Sequence, residues 1–318
     1  MRKRMIKINE KDKNFEEGYQ EFLNNCKVRN LRPATIEHYE SIVNYIWYKF
    51  YNPKDSIRDI TLSIVEEFIV FCKQERKQKD VTVNTNLRAI RTILYFFMKK
   101  GYMQEFKIGQ IKQDQEIIET YTDEELKILL KKPNLNKCIF TEYRDWVICN
   151  LMLSVGTRAS TIVNMKREDV DLTNAVIYYR HTKNRKQQVV PISRTLQIVF
   201  REYLSYVEDE EYLFPNTYGG KLQTRSLTHT LMYYNRRRGI EKTGVHRWRH
   251  TFAKNWILNG GDIFRLQKIL GHSDMTIVRN YVNMFTDDLK TDFNEFNPLE
   301  SIQKNEKKSI KLNNKRKK

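Results

Sequence analysis

The helical spacing of apolar residues over positions 13–107 limits most strongly what this chain can fold into. Phe15, Tyr19, Phe22, Leu23 and Cys26 fall at i, i+4, i+7, i+8 and i+11, which is one stripe of an amphipathic helix. Pro33 stands near the start of a second helix, where its missing N–H costs nothing. Ile36, Tyr39, Ile42, Val43 and Ile46 continue that helix. A third spans roughly Leu62 to Lys73, and a fourth Val83 to Lys99, with Gly101 placed as its C-cap. Their outer faces are polar and often basic, so residues 13–107 are expected to form a small four-helix domain.

The next stretch, 108–120, is polar and only weakly periodic and reads as a linker. Thr122 and Glu125 then make a capping box, in which hydroxyl and carboxylate each meet a free N–H at a helix start. A second domain is expected over 121–296. Its one clear β signal runs from Ala175 to Ser193: Val176 and Tyr178 alternate with Ile177 and Tyr179, and Gln187 to Pro191 supplies the return strand. The tip between them, Lys183-Asn184-Arg185-Lys186, is basic. Most of the remainder through Phe296 reads helical. From Gln303 onward eight Lys or Arg face the single acid Glu306, so 297–318 is expected to be a disordered basic tail. The fold class is therefore mainly α (α+β): a four-helix N-terminal domain, then a mostly helical domain with a small antiparallel β-sheet or hairpin.

Charge narrows the partners. The 318 residues include 57 Lys and Arg against 39 Asp and Glu, a net charge of +18, which favours a polyanion, either nucleic acid or an anionic membrane. A membrane surface fits less well, because the basic residues lack a matching exposed apolar face. No stretch approaches the roughly 20 apolar residues that cross a bilayer. The longest apolar cluster, Trp146 to Val155, is interrupted by Asn150 and Ser154. Arg2, Lys3 and Arg4 are not followed by an apolar leader segment, so a cytoplasmic location is expected. Cys26, Cys72, Cys138 and Cys149 lack CxxC or zinc-ligand spacing and read as buried free thiols.

The second domain also carries an unusual set of side chains. Arg158 lies in Ser154-Val-Gly-Thr-Arg-Ala-Ser160 after an apolar helix that stops at Gly156. Lys183 sits at the hairpin tip, and His246 and Arg249 form an HxxR pair one helical turn apart. His272 follows a Leu270-Gly271 helix stop, and Tyr281 comes nine residues later. Such a set suits attack on a phosphodiester. Guanidinium groups stay charged at any working pH and meet two phosphate oxygens with paired donors. Preorganised donors of this kind stabilise the charge of a five-coordinate phosphorus. A tyrosine phenol, with a pKa of about 10, needs a base or a positive field to become a nucleophile. The departing deoxyribose oxygen is more basic still and needs an acid such as Lys183. No acidic cluster stands ready to hold a metal ion, so neither metal nor cofactor is expected. His250 reads as structural, and His38, His181 and His229 as ordinary polar residues.

These segments resemble the tyrosine recombinase (phage integrase) family. Ser154 to Ser160 resembles its first arginine box, and Thr182 to Pro191 the hairpin that bears its lysine. His246-Arg-Trp-Arg-His-Thr251 resembles its HxLRH box, and Leu270-Gly-His-Ser273 with Asn280-Tyr-Val282 its LGH and nucleophile boxes. Arg32-Pro-Ala-Thr-Ile36 with Tyr39 resembles the opening of its core-binding domain. The resemblance implies that 13–107 is a DNA-binding domain and 121–296 the catalytic one. It further implies that Arg158 and Arg249 clamp the scissile phosphate, Lys183 is the general acid, and His246 assists proton transfer. His272 hydrogen-bonds a phosphate oxygen, and Tyr281 forms a 3′-phosphotyrosine.

Three positions depart from the family pattern: Thr161 where an acidic residue is common, Trp248 where Leu is usual, and Gln188 where Arg is frequent. The activity implied is site-specific cutting and rejoining of double-stranded DNA, for integration, excision or resolution, without ATP. The implied assembly is a homo-tetramer on two DNA sites, its neighbours exchanging a segment around 284–296 that carries Phe285, Leu289, Phe293 and Phe296. A second recombinase or a directionality factor are further partners of such reactions. The absence of room for an arm-binding domain favours a simple Xer-like or transposon type. Type IB topoisomerase-like relaxation and a catalytically silent DNA-binding regulator are the alternatives.

Overall fold

The first helix starts where two N–H groups can be satisfied locally. Asn14 Oδ1 accepts the Glu17 N–H at 2.9 Å, and the Glu17 carboxylate accepts the Asn14 N–H at 3.2 Å, a reciprocal capping box. The computed structural model describes residues 12–114, 119–180 and 187–271, and the chain divides into two units, Met1–Glu116 and Ile117–Lys318. The hairpin tip with Lys183, His272, Tyr281, the 284–296 segment and the 297–318 tail lie outside the described residues.

The first unit contains α1 (Phe15–Val28), α2 (Pro33–Tyr45), α3 (Leu62–Gln74) and α4 (Asp80–Lys99). The buried face of α1 is Phe15, Gly18, Tyr19, Phe22, Leu23 and Cys26, the stripe expected from spacing. Between α2 and α3 a 3-10 turn, Trp47–Lys49, drives Trp47 into the middle of the unit. Its ring lies 5.5 Å from Phe15 and 4.9 Å from Phe68. A buried aromatic of this kind stabilises by roughly 1.5–3 kcal/mol. Residues 108–113, at the start of the stretch that the sequence reads as a linker, are strapped to α4. Asn84, itself buried, donates to Ile111 O at 3.0 Å and accepts the Ile111 N–H at 3.1 Å. Tyr95 Oη accepts the Ile108 N–H at 3.1 Å. Extended backbone pairs here with side chains rather than a strand, which leaves no periodic signature.

The second unit runs α5 (Asp123–Leu129), α6 (Phe140–Val155), α7 (Ala159–Ile162), β1 (Val170–Asp171), β2 (Val176–Tyr179), β3 (Gln188–Pro191), α8 (Arg194–Leu204), α9 (Thr224–Arg237), α10 (Val245–Leu258) and α11 (Ile263–Leu270). The capping box opens α5: the Thr122 N–H reaches Glu125 at 2.8 Å, and Thr122 Oγ1 accepts the Glu125 N–H at 3.3 Å. Helix α6 is the axle of the unit. It packs against α8, α9 and α10 and is buried on all sides, including Arg144 and Asp145. A helix surrounded in this way carries no single apolar stripe.

The three strands form one antiparallel sheet in the order β1-β2-β3. Ile177 pairs with Val190 and both are fully buried, whereas Tyr178 and its partner Val189 face outward. The pleat therefore fixes the register, because a slip of one residue would expose the buried pair. Strand β1 has two residues, too few to show alternation. Cys26, Cys72 and Cys149 are buried thiols, and Cys138 is half-buried. Among the described residues no helix is long and apolar enough to cross a membrane.

Candidate functional site

Helix α6 ends at Gly156, which takes φ 61°, the left-handed conformation. A side chain there would be strained and would have no space. A Cβ would lie 2.5 Å from Phe252 Cδ1 on α10 and 2.7 Å from Leu270 Cδ2 on α11. The glycine thus lets α6, α10 and α11 meet at one point, and two residues later Arg158 sits at the N-cap of α7.

Arg158 and Arg249 converge there. Arg158 Nη1 donates to Leu270 O at 3.0 Å, and Arg249 Nη2 donates to the same oxygen at 2.8 Å. Arg249 Nη1 also donates to Gly156 O at 2.7 Å. Arg249 is buried and Arg158 half-buried. Two guanidinium groups this close repel each other. They share the C-terminal end of α11, where unsatisfied carbonyls carry partial negative charge that offsets part of that repulsion. Gln188, the first residue of β3, completes the cap: its Nε2 donates to Lys268 O at 2.6 Å and Ile269 O at 2.7 Å. Gly271 follows at φ 62°, and a Cβ there would lie 2.7 Å from Gln188 Oε1.

Behind the arginines, Thr157 Oγ1 and Tyr179 Oη are hydrogen-bonded at 2.6 Å, both buried. Burial pushes the Tyr179 hydroxyl well above the usual phenol range, with the Thr157 hydrogen bond and the Arg249 charge pulling the other way. Tyr179 therefore braces the site and does not ionise in it. Sequence reasoning singled out neither Thr157 nor Tyr179. Gln188 it noted only as a departure from Arg, because the carbonyls it meets lie 80 and 81 positions away.

The HxxR box opens α10. His246 is exposed in the first turn, while Arg249 is buried one turn on. Between them Trp248 is 1% exposed, its ring 4.8 Å from Tyr121, so the larger residue in this box fills core volume. Thr161 is buried in α7. His250 is pushed down to about 4 by burial, then by the charges of His246, Arg249 and Arg247. The unfolded chain takes up a proton near pH 6.5 that the fold refuses until about 4. His250 thus contributes stability that is complete above pH ~6.5 and lost as pH falls through ~4. Wild type is expected to lose melting temperature across that window more steeply than His250→Gln. Parallel curves in a thermal-melt series would rule His250 out as the cause.

Of the six residues the sequence nominates, Arg158, His246 and Arg249 fall among the described residues, and the hydrogen bonds above bring Arg158 and Arg249 together. Gln188 and Gly271, both among the described residues, belong to the arginine cluster.

Comparison with known proteins agrees in sequence and in fold. The model of the phage integrase family matches residues 119–287, and that of the phage integrase SAM-like domain matches residues 14–112. The tyrosine recombinase XerC of Chlamydia caviae is 30% identical over 243 residues, covering 73% of this chain and 74% of that protein. Among solved structures, the Tn1549 transposon integrase in complex with circular intermediate DNA superposes with a TM-score of 0.68 at 18% identity, over 84% of this chain and 94% of that one. A lambda integrase tetramer bound to a Holliday junction gives a TM-score of 0.66 at 14% identity, over 86% and 78%. At these identities the two structures speak for the fold alone.

Proposed function

The chain belongs to the phage integrase family and is a tyrosine recombinase, and from that premise we propose that it cleaves and rejoins DNA at specific sites through Tyr281. One observation carries the assignment of the site: Arg158 and Arg249, 112 and 21 positions from Leu270, meet on its carbonyl oxygen. Two guanidinium groups gathered at one partly buried point form a receptor for the singly charged phosphodiester of a DNA backbone. When a DNA phosphate enters, their N–H donors stabilise the charge that grows on its non-bridging oxygens.

In this reading Tyr281 loses its proton with help from His246 and attacks the phosphorus. The bond to the deoxyribose 5′ oxygen breaks, Lys183 protonates that oxygen, and a 3′-phosphotyrosine forms. His272 donates to a non-bridging oxygen. Attack by a 5′ hydroxyl from a second strand reverses these steps and releases Tyr281, so phosphodiester energy is conserved and ATP is not consumed.

The first unit serves as the DNA-binding domain (13–107) and the second as the catalytic domain (121–296), joined at 108–120. The net charge of +18 supports phosphate contacts and an affinity that falls steeply with salt. The working assembly is a homo-tetramer on two duplex sites in the cytoplasm, with the 284–296 segment docked on a neighbour. A second recombinase or a directionality factor would be a further partner of that synaptic complex.

The test is a suicide-substrate assay with nicked half-site DNA from the region flanking the gene, in EDTA, resolved on denaturing gels. Wild type is expected to give a protease-sensitive DNA adduct and Tyr281→Phe none. An adduct that persists in Tyr281→Phe would show that another residue is the nucleophile. Tight binding without any adduct in wild type would instead favour a silent DNA binder or a missing partner.

A further inference from the structure

We infer that Gln188 is a positioning residue of this site, holding the C-terminal turn of α11 and, through it, Arg158 and Arg249. The inference rests on the reading of those arginines as phosphate ligands. The side-chain amide of Gln188 has two N–H donors. Both are used on consecutive carbonyls, Lys268 O at 2.6 Å and Ile269 O at 2.7 Å. The next carbonyl, Leu270 O, is the one on which the two arginines converge.

The hydrogen bonds close a circuit. Gln188 pairs across the sheet with Tyr179, Tyr179 Oη is bonded to Thr157 at 2.6 Å, and Thr157 adjoins Arg158, which returns to the α11 turn. Gly271 is fitted to the same amide, since a Cβ there would stand 2.7 Å from Gln188 Oε1. Without the amide donors, the arginines would be the side chains left to anchor the α11 terminus. Their donors would then be divided between holding the turn and meeting the phosphate. Gln188 eases that conflict by taking Lys268 O and Ile269 O, so that the arginines share Leu270 O alone of the three carbonyls, which gives a physical reason for a double donor at this position.

The variants that test this are Gln188→Glu and Gln188→Arg in the full chain. Glutamate keeps the size but removes both donors and sets a negative charge against the negative end of a helix. Arginine keeps donors within reach. Gln188→Glu is expected to slow Tyr281 adduct formation on the order of 10–100-fold, the scale of a small displacement of catalytic groups. DNA affinity should stay near wild type and hydrogen exchange should quicken in the peptide covering 263–271, both read well below the melting temperature of the variant. Gln188→Arg should restore both rate and protection. Wild-type exchange or wild-type rate in Gln188→Glu overturns the inference. So does a rate loss that merely follows a fall in melting temperature and is not rescued by arginine, because that describes a structural cap. If the turn loosens as expected but wild type itself forms no Tyr281-dependent adduct, the recombinase reading fails, and the positioning role fails with it.

Discussion

Arg249→Lys is expected to slow covalent adduct formation on the order of 10²–10³-fold, the scale seen when one preorganised donor to a developing charge is removed. The charge survives in this variant, so what it tests is geometry. Arg249 spans two acceptors, Gly156 O at 2.7 Å and Leu270 O at 2.8 Å, with two different nitrogens. A lysine ammonium is a single point on a flexible stem and cannot keep a planar fork aimed at a phosphate while it bridges two carbonyls. A lysine that kept Leu270 O, which Arg158 also holds, would leave Gly156 O without this partner, at a cost of about 1–3 kcal/mol. The rate should therefore be read well below the melting temperature of the variant. DNA affinity should change little, because it is summed over many phosphate contacts. A variant that binds DNA normally and cleaves at the wild-type rate would show that Arg249 is a structural residue that happens to lie in a helix box.

What the sequence makes legible here, and what it hides, divides on physical grounds. The stripe of α1 and the capping box of α5 are local devices, written within one or two helical turns, and both stand in the structure as spacing predicts. The alternation of β2 and β3 is legible for the same reason, since Ile177 and Val190 share the buried face. The arginine cluster was nominated by order and local context, but its geometry was not readable. Leu270 O is a backbone atom with no side-chain signature, and its partners come from α7 and α10. Trp47 was missed as a core centre because a three-residue turn has no period. The attachment of 108–113 to α4 leaves no signal in the sequence because its hydrogen bonds run to Asn84 and Tyr95 rather than to a strand. Helix α6 hides in a different way. Surrounded on every side, it shows no amphipathic stripe, and it carries an adjacent Arg144 and Asp145 that any sequence reading would place in solvent.

That pair is where the largest loss of stability is expected. Arg144 is 1% exposed and Asp145 3%. Arg144 Nε and Nη2 donate to Asp145 Oδ1 at 3.1 and 2.9 Å, and Nη1 donates to Pro215 O at 2.8 Å. Burial pushes the Asp145 carboxyl up to about 6, with the neighbouring Arg144 charge pulling it down, so at pH ~8 the pair is ionised on both sides. Asp145→Ala leaves a buried guanidinium without its counter-charge, and removing one partner of such a pair costs about 3–5 kcal/mol. The double variant Arg144→Met with Asp145→Leu removes both charges together and replaces them with apolar volume. It should recover most of that loss, since the desolvation of two ions disappears along with their attraction. Chemical denaturation at pH ~8 separates the cases. A single variant within about 1 kcal/mol of wild type would mean that water reaches the guanidinium. A double variant as unstable as the single would mean that the hydrogen bond from Arg144 to Pro215, which ties the axle helix to the loop ahead of α9, matters more than the charge pair. If both behave as expected, the ion pair fixes how α6 lies in the unit, and with it the stop at Gly156 from which Arg158 is presented.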